Sequence, residues 1–173
     1  MSSKKERAGG LTEPNPFTED EFRAWRGFRR VNTVVEAELG ARLEKKHKLS
    51  VLHYGVLIAL VAAADRQLRM SDLAEKVLAS ASGMTRAVTR LRLDGLVERE
   101  QDPGDLRSVV VSLTPKGHRK LRAAQVTHHA CVRELLFAGL KDDDLERLAT
   151  IYDHAMPGIV DEPTWSTSHW RRT

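Results

Sequence analysis

A mainly α-helical chain carrying one small β-hairpin is the fold class this sequence predicts, and three observations predict it. The composition is aliphatic: 41% of the 173 residues are hydrophobic but only 5% are aromatic, a balance that suits helical cores. Apolar residues recur at intervals of three and four through most of the chain. One stretch breaks that period, where Leu96–Glu100 alternates apolar and charged residues and the β-branched run Ser-Val-Val-Val-Ser-Leu leads to Leu113.

Taken in order, residues 1–16 are polar, hold two Gly and two Pro, and show no periodicity. They read as a flexible arm over about residues 1–17. Thr18 is a helix N-cap followed by Glu19, Asp20 and Glu21 at the positive end of the dipole. Phe22, Trp25, Phe28, Val35, Leu39 and Leu43 then form one stripe. At ~1.5 Å per residue such a helix runs about 40 Å, more than a chain this size covers alone. Part of its apolar face is therefore expected to meet another subunit.

Ser50 caps a second helix predicted to run to about Ala64, and Ser71-Asp72-Leu73-Ala74 opens a short third one ending near Leu78. Ser80 opens a fourth, which stops at Gly95, the residue type a helix end favours. Between the two predicted strands lies Gln101-Asp102-Pro103-Gly104-Asp105-Leu106, a turn signature that makes them a two-stranded hairpin with a charged tip. Thr114-Pro115 starts a fifth helix, predicted to reach Gly139, and a sixth starts at Asp142 and ends at Pro157-Gly158. Residues 159–173 read as a polar tail that begins with Ile159 and Val160 and carries Trp165 and Trp170.

Several function classes fall away. No apolar run approaches the ~18 residues of a membrane span, and the basic N-terminus is followed by no apolar segment, so it is no secretory signal. With one cysteine, Cys131, there is no intrachain disulfide framework. A soluble cytoplasmic protein is expected. No paired carboxylates, nucleophile elbow or phosphate loop appears, so the chain reads as no enzyme and implies no cofactor. Seven His are present, yet no two stand at the i, i+4 spacing that grips one metal. Cys131 reads as a small core residue, with oxidant sensing the alternative.

Charge points to a polyanion. From Arg66 to Arg122 there are 12 Lys and Arg against 7 Asp and Glu, so the positive excess of the chain, net +4, lies in its middle third. A solvated charged surface is the plain alternative. The third and fourth helices, joined by the tight turn Ala79-Ser80, have the order of a helix-turn-helix, whose second helix enters the major groove. At about 100° per residue, Met84, Val88 and Leu91 form that helix's buried face. Ser82, Arg86 and Thr89 fall on the opposite face, flanked by Thr85 and Arg90, with no carboxylate until Asp94. Such a face suits phosphates and base edges, because Arg donates two hydrogen bonds to guanine while Ser and Thr reach bases or backbone.

The stretch Leu73–Gly117 resembles the MarR family of winged helix-turn-helix regulators. The shared features are Leu-Ala in the third helix, Val-Thr-Arg-Leu in the fourth, Gly-Leu-Val-Glu-Arg after it, the Asp-Pro-x-Asp-x-Arg wing, and the closing Leu-Thr-x-Lys-Gly. Leu106 stands where many members carry a wing arginine, and Arg107 matches the second one. The resemblance implies a single domain over about residues 18–158. Its winged helix-turn-helix would span about 50–113 and its dimerisation helices about 18–47 and 114–158. It implies a homodimer binding double-stranded DNA at a pseudo-palindromic operator, with Arg107 in the minor groove. Asp105 then either pairs with Arg107 and orients it, or simply forms the turn. A transcriptional repressor is the function implied, released by a small anionic or aromatic ligand. Trp25, Arg29, His53, Tyr54 and His118 are the candidate pocket residues. Each has a plainer role: dimer core for Trp25, exposed surface for Arg29 and His118, and helix packing for His53 and Tyr54. The rival function is a winged-helix module for protein–protein contact without specific DNA binding.

Overall fold

The computed structural model describes residues 17–102 and 104–155. The arm over residues 1–16, Pro103 of the hairpin turn, the helix stop at Pro157-Gly158 and the Trp165/Trp170 tail lie outside the described residues. Two compact units divide the chain, one ending at Val34 and the other beginning at Val35.

Helix α1 (Glu19–His47) begins in the first unit. Thr18 and Glu21 close a reciprocal cap: Thr18 N–H donates to Glu21 Oε2 at 2.7 Å, and Glu21 N–H donates to Thr18 Oγ1 at 3.2 Å. Every described residue of this unit is exposed. Among the described residues of this unit, the contacts of Phe22, Trp25 and Phe28 are with one another and with the long arginines. Trp25 stacks on Phe28 at 6.0 Å, and the guanidiniums of Arg26 and Arg29 lie over the Phe22 and Trp25 rings at 5.7 and 5.8 Å.

In the second unit, α1 supplies Leu39 and Leu43 to a core shared with helix α2 (Val51–Ala62). Ser50 caps α2 as expected, and His53 completes a capping box. A strand β1 (Gln67–Arg69) follows, then α3 (Met70–Lys76) and α4 (Ala81–Leu93). Ser80 Oγ accepts the Gly83 N–H at 3.1 Å and starts α4, while Gly95, at φ 69°, ends its exit turn. Strands β2 (Val97–Asp102) and β3 (Asp105–Leu113) make the hairpin, with a bulge between Gln101 and Asp102. Thr114 and Pro115 start α5 (Pro115–Val132), and α6 is Asp142–Ala155.

Three local expectations are revised. The sheet has three strands in the order β1-β3-β2, because Leu68 pairs with the fully buried Val111. A three-residue strand is too short to show a period in sequence, and only the edge of β3 selects it. Helix α3 starts one residue before Ser71, with Arg69 at the cap position making no capping bond. The long fifth helix gives way after Val132 to a π-helical turn, Arg133–Phe137, carrying Glu134. Arg42 of α1 grips that carboxylate at 2.7 and 3.0 Å while also holding Glu38 at 2.7 Å. Among the described residues no helix is long and apolar enough to cross a membrane.

Candidate nucleic-acid interface

The α3–turn–α4 unit is anchored from below. Leu73 of α3 and Met84, Ala87, Val88 and Leu91 of α4 are buried against α2 and the sheet. That fixes the rotation of α4, so Ser82, Thr85, Arg86, Thr89 and Arg90 all face outward and are exposed. Their availability differs. Thr85 Oγ1 donates to its own helix at Ala81 O (2.9 Å), Ser82 Oγ lies 3.4 Å from Ser80 Oγ, and Arg90 Nε is held by Asp94 at 3.1 Å. Arg86 and Thr89 are uncommitted among the described residues. The face therefore presents one free guanidinium flanked by hydroxyls, with its only nearby carboxylate paired at the far end.

The hairpin presents a second charge. Arg107 is exposed at the start of β3, and among the described residues nothing holds its guanidinium. Asp105 orders the backbone beneath it: Oδ1 accepts the Arg107 N–H at 3.0 Å and Oδ2 the Ser108 hydroxyl at 2.7 Å. Those two bonds, the hydroxyl foremost, hold the Asp105 carboxyl below the usual carboxylate range. Of its two expected roles the geometry thus matches the turn former, which leaves the Arg107 side chain free.

The five candidate ligand residues divide between the units. Trp25 and Arg29 belong to the first and lie exposed against each other. In the second, His53 Nδ1 accepts the Ser50 N–H at 3.3 Å, so its ring is engaged in the cap of α2. Tyr54 is 2% exposed and stacks on His128, and burial raises its phenol above the ordinary range. His118 is half-buried in the first turn of α5, where burial and then the Arg66 and Arg122 charges lower its pKa. Cys131 is fully buried, and that burial pushes the thiol up, away from the thiolate a sensor needs. Among the described residues no group of three or more His, Cys, Asp or Glu is placed to hold a metal ion.

Two residues escaped the sequence reading. Arg69 and Asp102 form an ion pair at 2.8 Å between the outer strands of the sheet. No local signal marks the pair: the sequence puts the helix start at Ser71 and Asp102 in the hairpin turn, and the two residues meet only through the sheet.

Comparison with known proteins agrees with this geometry. Residues 47–108 match the MarR family model. The HTH-type transcriptional regulator YkoM of Bacillus subtilis (strain 168) is 28% identical over 143 residues, covering 80% of this chain and 90% of that protein. The transcriptional repressor MprA of Escherichia coli (strain K12) is 30% identical over 94 residues, 53% of each chain. Sco3205, a MarR family transcriptional regulator from Streptomyces coelicolor crystallised in complex with DNA, superposes with a TM-score of 0.75 at 30% identity, covering 88% of this chain and 98% of that one. The winged helix-turn-helix fold, the motif order from Leu73 to Gly117 and these relatives together place the chain in the MarR family of transcriptional regulators, a class that performs no enzymatic reaction.

Proposed function

We propose that the chain is a homodimeric, sequence-specific repressor of double-stranded DNA, working in the cytoplasm on a pseudo-palindromic operator. In this reading α4 enters a major groove and the β2–β3 wing reaches the adjacent minor groove with Arg107. The observation that carries it is the outer face of α4: exposed Ser82, Thr85, Arg86 and Thr89 with no unpaired carboxylate among them. An ordinary surface helix mixes both signs of charge; this one offers what phosphates and guanine edges accept. The dimer is supported by surfaces that need cover: Phe22, Trp25 and Phe28 are each about half exposed, and α6 buries none of its residues while showing Leu145, Ile151 and Tyr152 to solvent. A small anionic or aromatic ligand that lowers DNA affinity completes the proposal. Trp25, Arg29 and His118 are its freest candidates, because among the described residues their side chains make no hydrogen bond, whereas His53 and Tyr54 already serve the packing of α2.

A gel-shift titration on DNA upstream of the chain's own gene, with unrelated competitor of equal length, tests the core of this reading. Discrete complexes that survive competitor and weaken steeply with salt are expected. Absence of binding even at low salt favours a protein-contact module instead. Sedimentation of the free protein checks the dimer, and a compound that both raises the melting temperature and releases DNA identifies the ligand class.

A further inference from the structure

We propose that Arg69 is a positioning residue for the wing: it sets where Arg107 stands relative to the recognition helix. The inference rests on the DNA-binding reading above. Arg69 is the last residue of β1 and directly precedes α3, so it belongs to the helix-turn-helix side of the domain. Its guanidinium reaches across β3 to the last residue of β2, with Nε and Nη2 at 2.9 and 2.8 Å from Asp102 Oδ2. The other oxygen of that carboxylate, Oδ1, accepts the Gly104 N–H at 2.8 Å in the wing turn. One carboxylate therefore ties the wing tip to the strand that launches α3. Both bonds, the one to Gly104 first, hold the Asp102 carboxyl low, so the tether is charged at neutral pH.

Two further observations assign Arg69 to this task and not to DNA. Arg69 lines a hollow whose other charged residues are Asp72, Glu100 and Asp102, so carboxylates outnumber the one guanidinium there, a poor setting for phosphate. Arg69 also occupies the N-cap position of α3 and makes no capping bond. A Ser, Thr, Asp or Asn there would satisfy a helix N–H. The chain forgoes that bond, and its arginine instead joins two elements that must reach neighbouring grooves together. With the hairpin free to swing, only a fraction of molecules hold Arg107 where the groove needs it, and apparent affinity falls by that fraction.

The test uses the full chain and a duplex of about 30 base pairs, three helical turns, recovered by the wild type from a random-sequence pool. Affinities are compared for wild type, Arg69→Ala, Arg107→Ala, Arg86→Ala and the two double variants that include Arg69→Ala. Salt is kept low enough for every complex to be measured, and melting temperatures are recorded alongside. Arg69→Ala is expected to weaken binding about fivefold, the scale of a well-formed exposed ion pair. The same change is expected to add nothing in the Arg107→Ala background and its full fivefold in the Arg86→Ala background. Unchanged affinity of Arg69→Ala, or an equal loss in both backgrounds, overturns the assignment while leaving DNA binding intact. Failure of the wild type to enrich any duplex overturns the DNA-binding reading, and this inference with it.

Discussion

Tyr54 and His128 lie ring on ring, their centroids 4.9 Å apart and their planes 16° from parallel, and this stack joins α2 to α5. His128 Nδ1 is buried with no hydrogen-bond partner among the described residues. Burial, followed by the neighbouring His129, lowers its pKa. A histidine whose folded pKa lies below the unfolded value of about 6.5 stabilises the fold fully above that pH. Its contribution is lost as pH falls from there through the folded value, because only the unfolded chain accepts the proton. Melting temperature is therefore expected to drop between about pH 7.5 and about pH 5.5. His128→Phe, which keeps a ring on Tyr54, is expected to flatten that drop in part. His47, His53 and His118 are lowered too, each chiefly by burial, and carry the remainder. Identical pH profiles for variant and wild type would remove His128 from this account.

Gly117 has no room for a side chain. A Cβ there would lie 2.8 Å from Leu113 Cδ1 and 2.9 Å from the carbonyl carbon of Leu96, where α5 crosses the entry to β2. Gly117→Ala is expected to destabilise the domain by roughly 1–3 kcal/mol, as overpacking against backbone does. Urea denaturation measures it, and a midpoint equal to the wild type's would show that α5 shifts freely.

Leu78 is 95% exposed and adopts φ 53° in the turn between α3 and α4. The left-handed region costs an L-residue about 1–2 kcal/mol, and the exposed side chain recovers little of it by packing. Leu78→Gly is expected to raise stability by roughly 0.5–1 kcal/mol once the extra freedom of glycine in the unfolded chain is subtracted. DNA affinity is expected to stay within a factor of about two, since the turn keeps its shape. A lower melting temperature would mean that Leu78 packs in the working assembly.

Arg86 and Arg90, two of the three arginines of α4, are not equivalent. Arg86 has no partner among the described residues, whereas Arg90 is paired with Asp94. Arg86→Ala is expected to cost ~1–3 kcal/mol of binding and to relax sequence preference at one base pair. Arg90→Ala is expected to cost less, because DNA must first take Arg90 from Asp94. Binding constants on the selected duplex and on single-base variants check both. Equal weakening on every sequence would make Arg86 a phosphate clamp.

Much of this is legible in the sequence. The carboxylate-free row of Ser82, Arg86 and Thr89 and the buried row of Met84, Val88 and Leu91 follow from helical spacing alone, since a helix repeats its faces every ~3.6 residues. Ser50, Ser80, Thr114 and Gly95 marked helix ends because caps are local chemistry, satisfied within three or four residues. Local signals determined the element order, the family, and which residues of α4 are exposed and which are buried.

What only the tertiary structure decided lies in contacts between residues far apart in the chain. Strand β1 exists because the edge of β3 accepts it, and nothing in Gln67-Leu68-Arg69 announces a strand alone. The choice of Arg69 for Asp102, 33 positions away and with Asp72 and Glu100 lining the same hollow, depends on the bulge and register of the sheet. Asp105 turned to the Arg107 backbone N–H and the Ser108 hydroxyl, leaving the guanidinium free, and His53 turned to the cap of α2. Sequence spacing fixes which face a residue occupies. Which of several near neighbours it bonds is decided by packing, because the competing partners differ by little more than the energy of one hydrogen bond, about 1 kcal/mol.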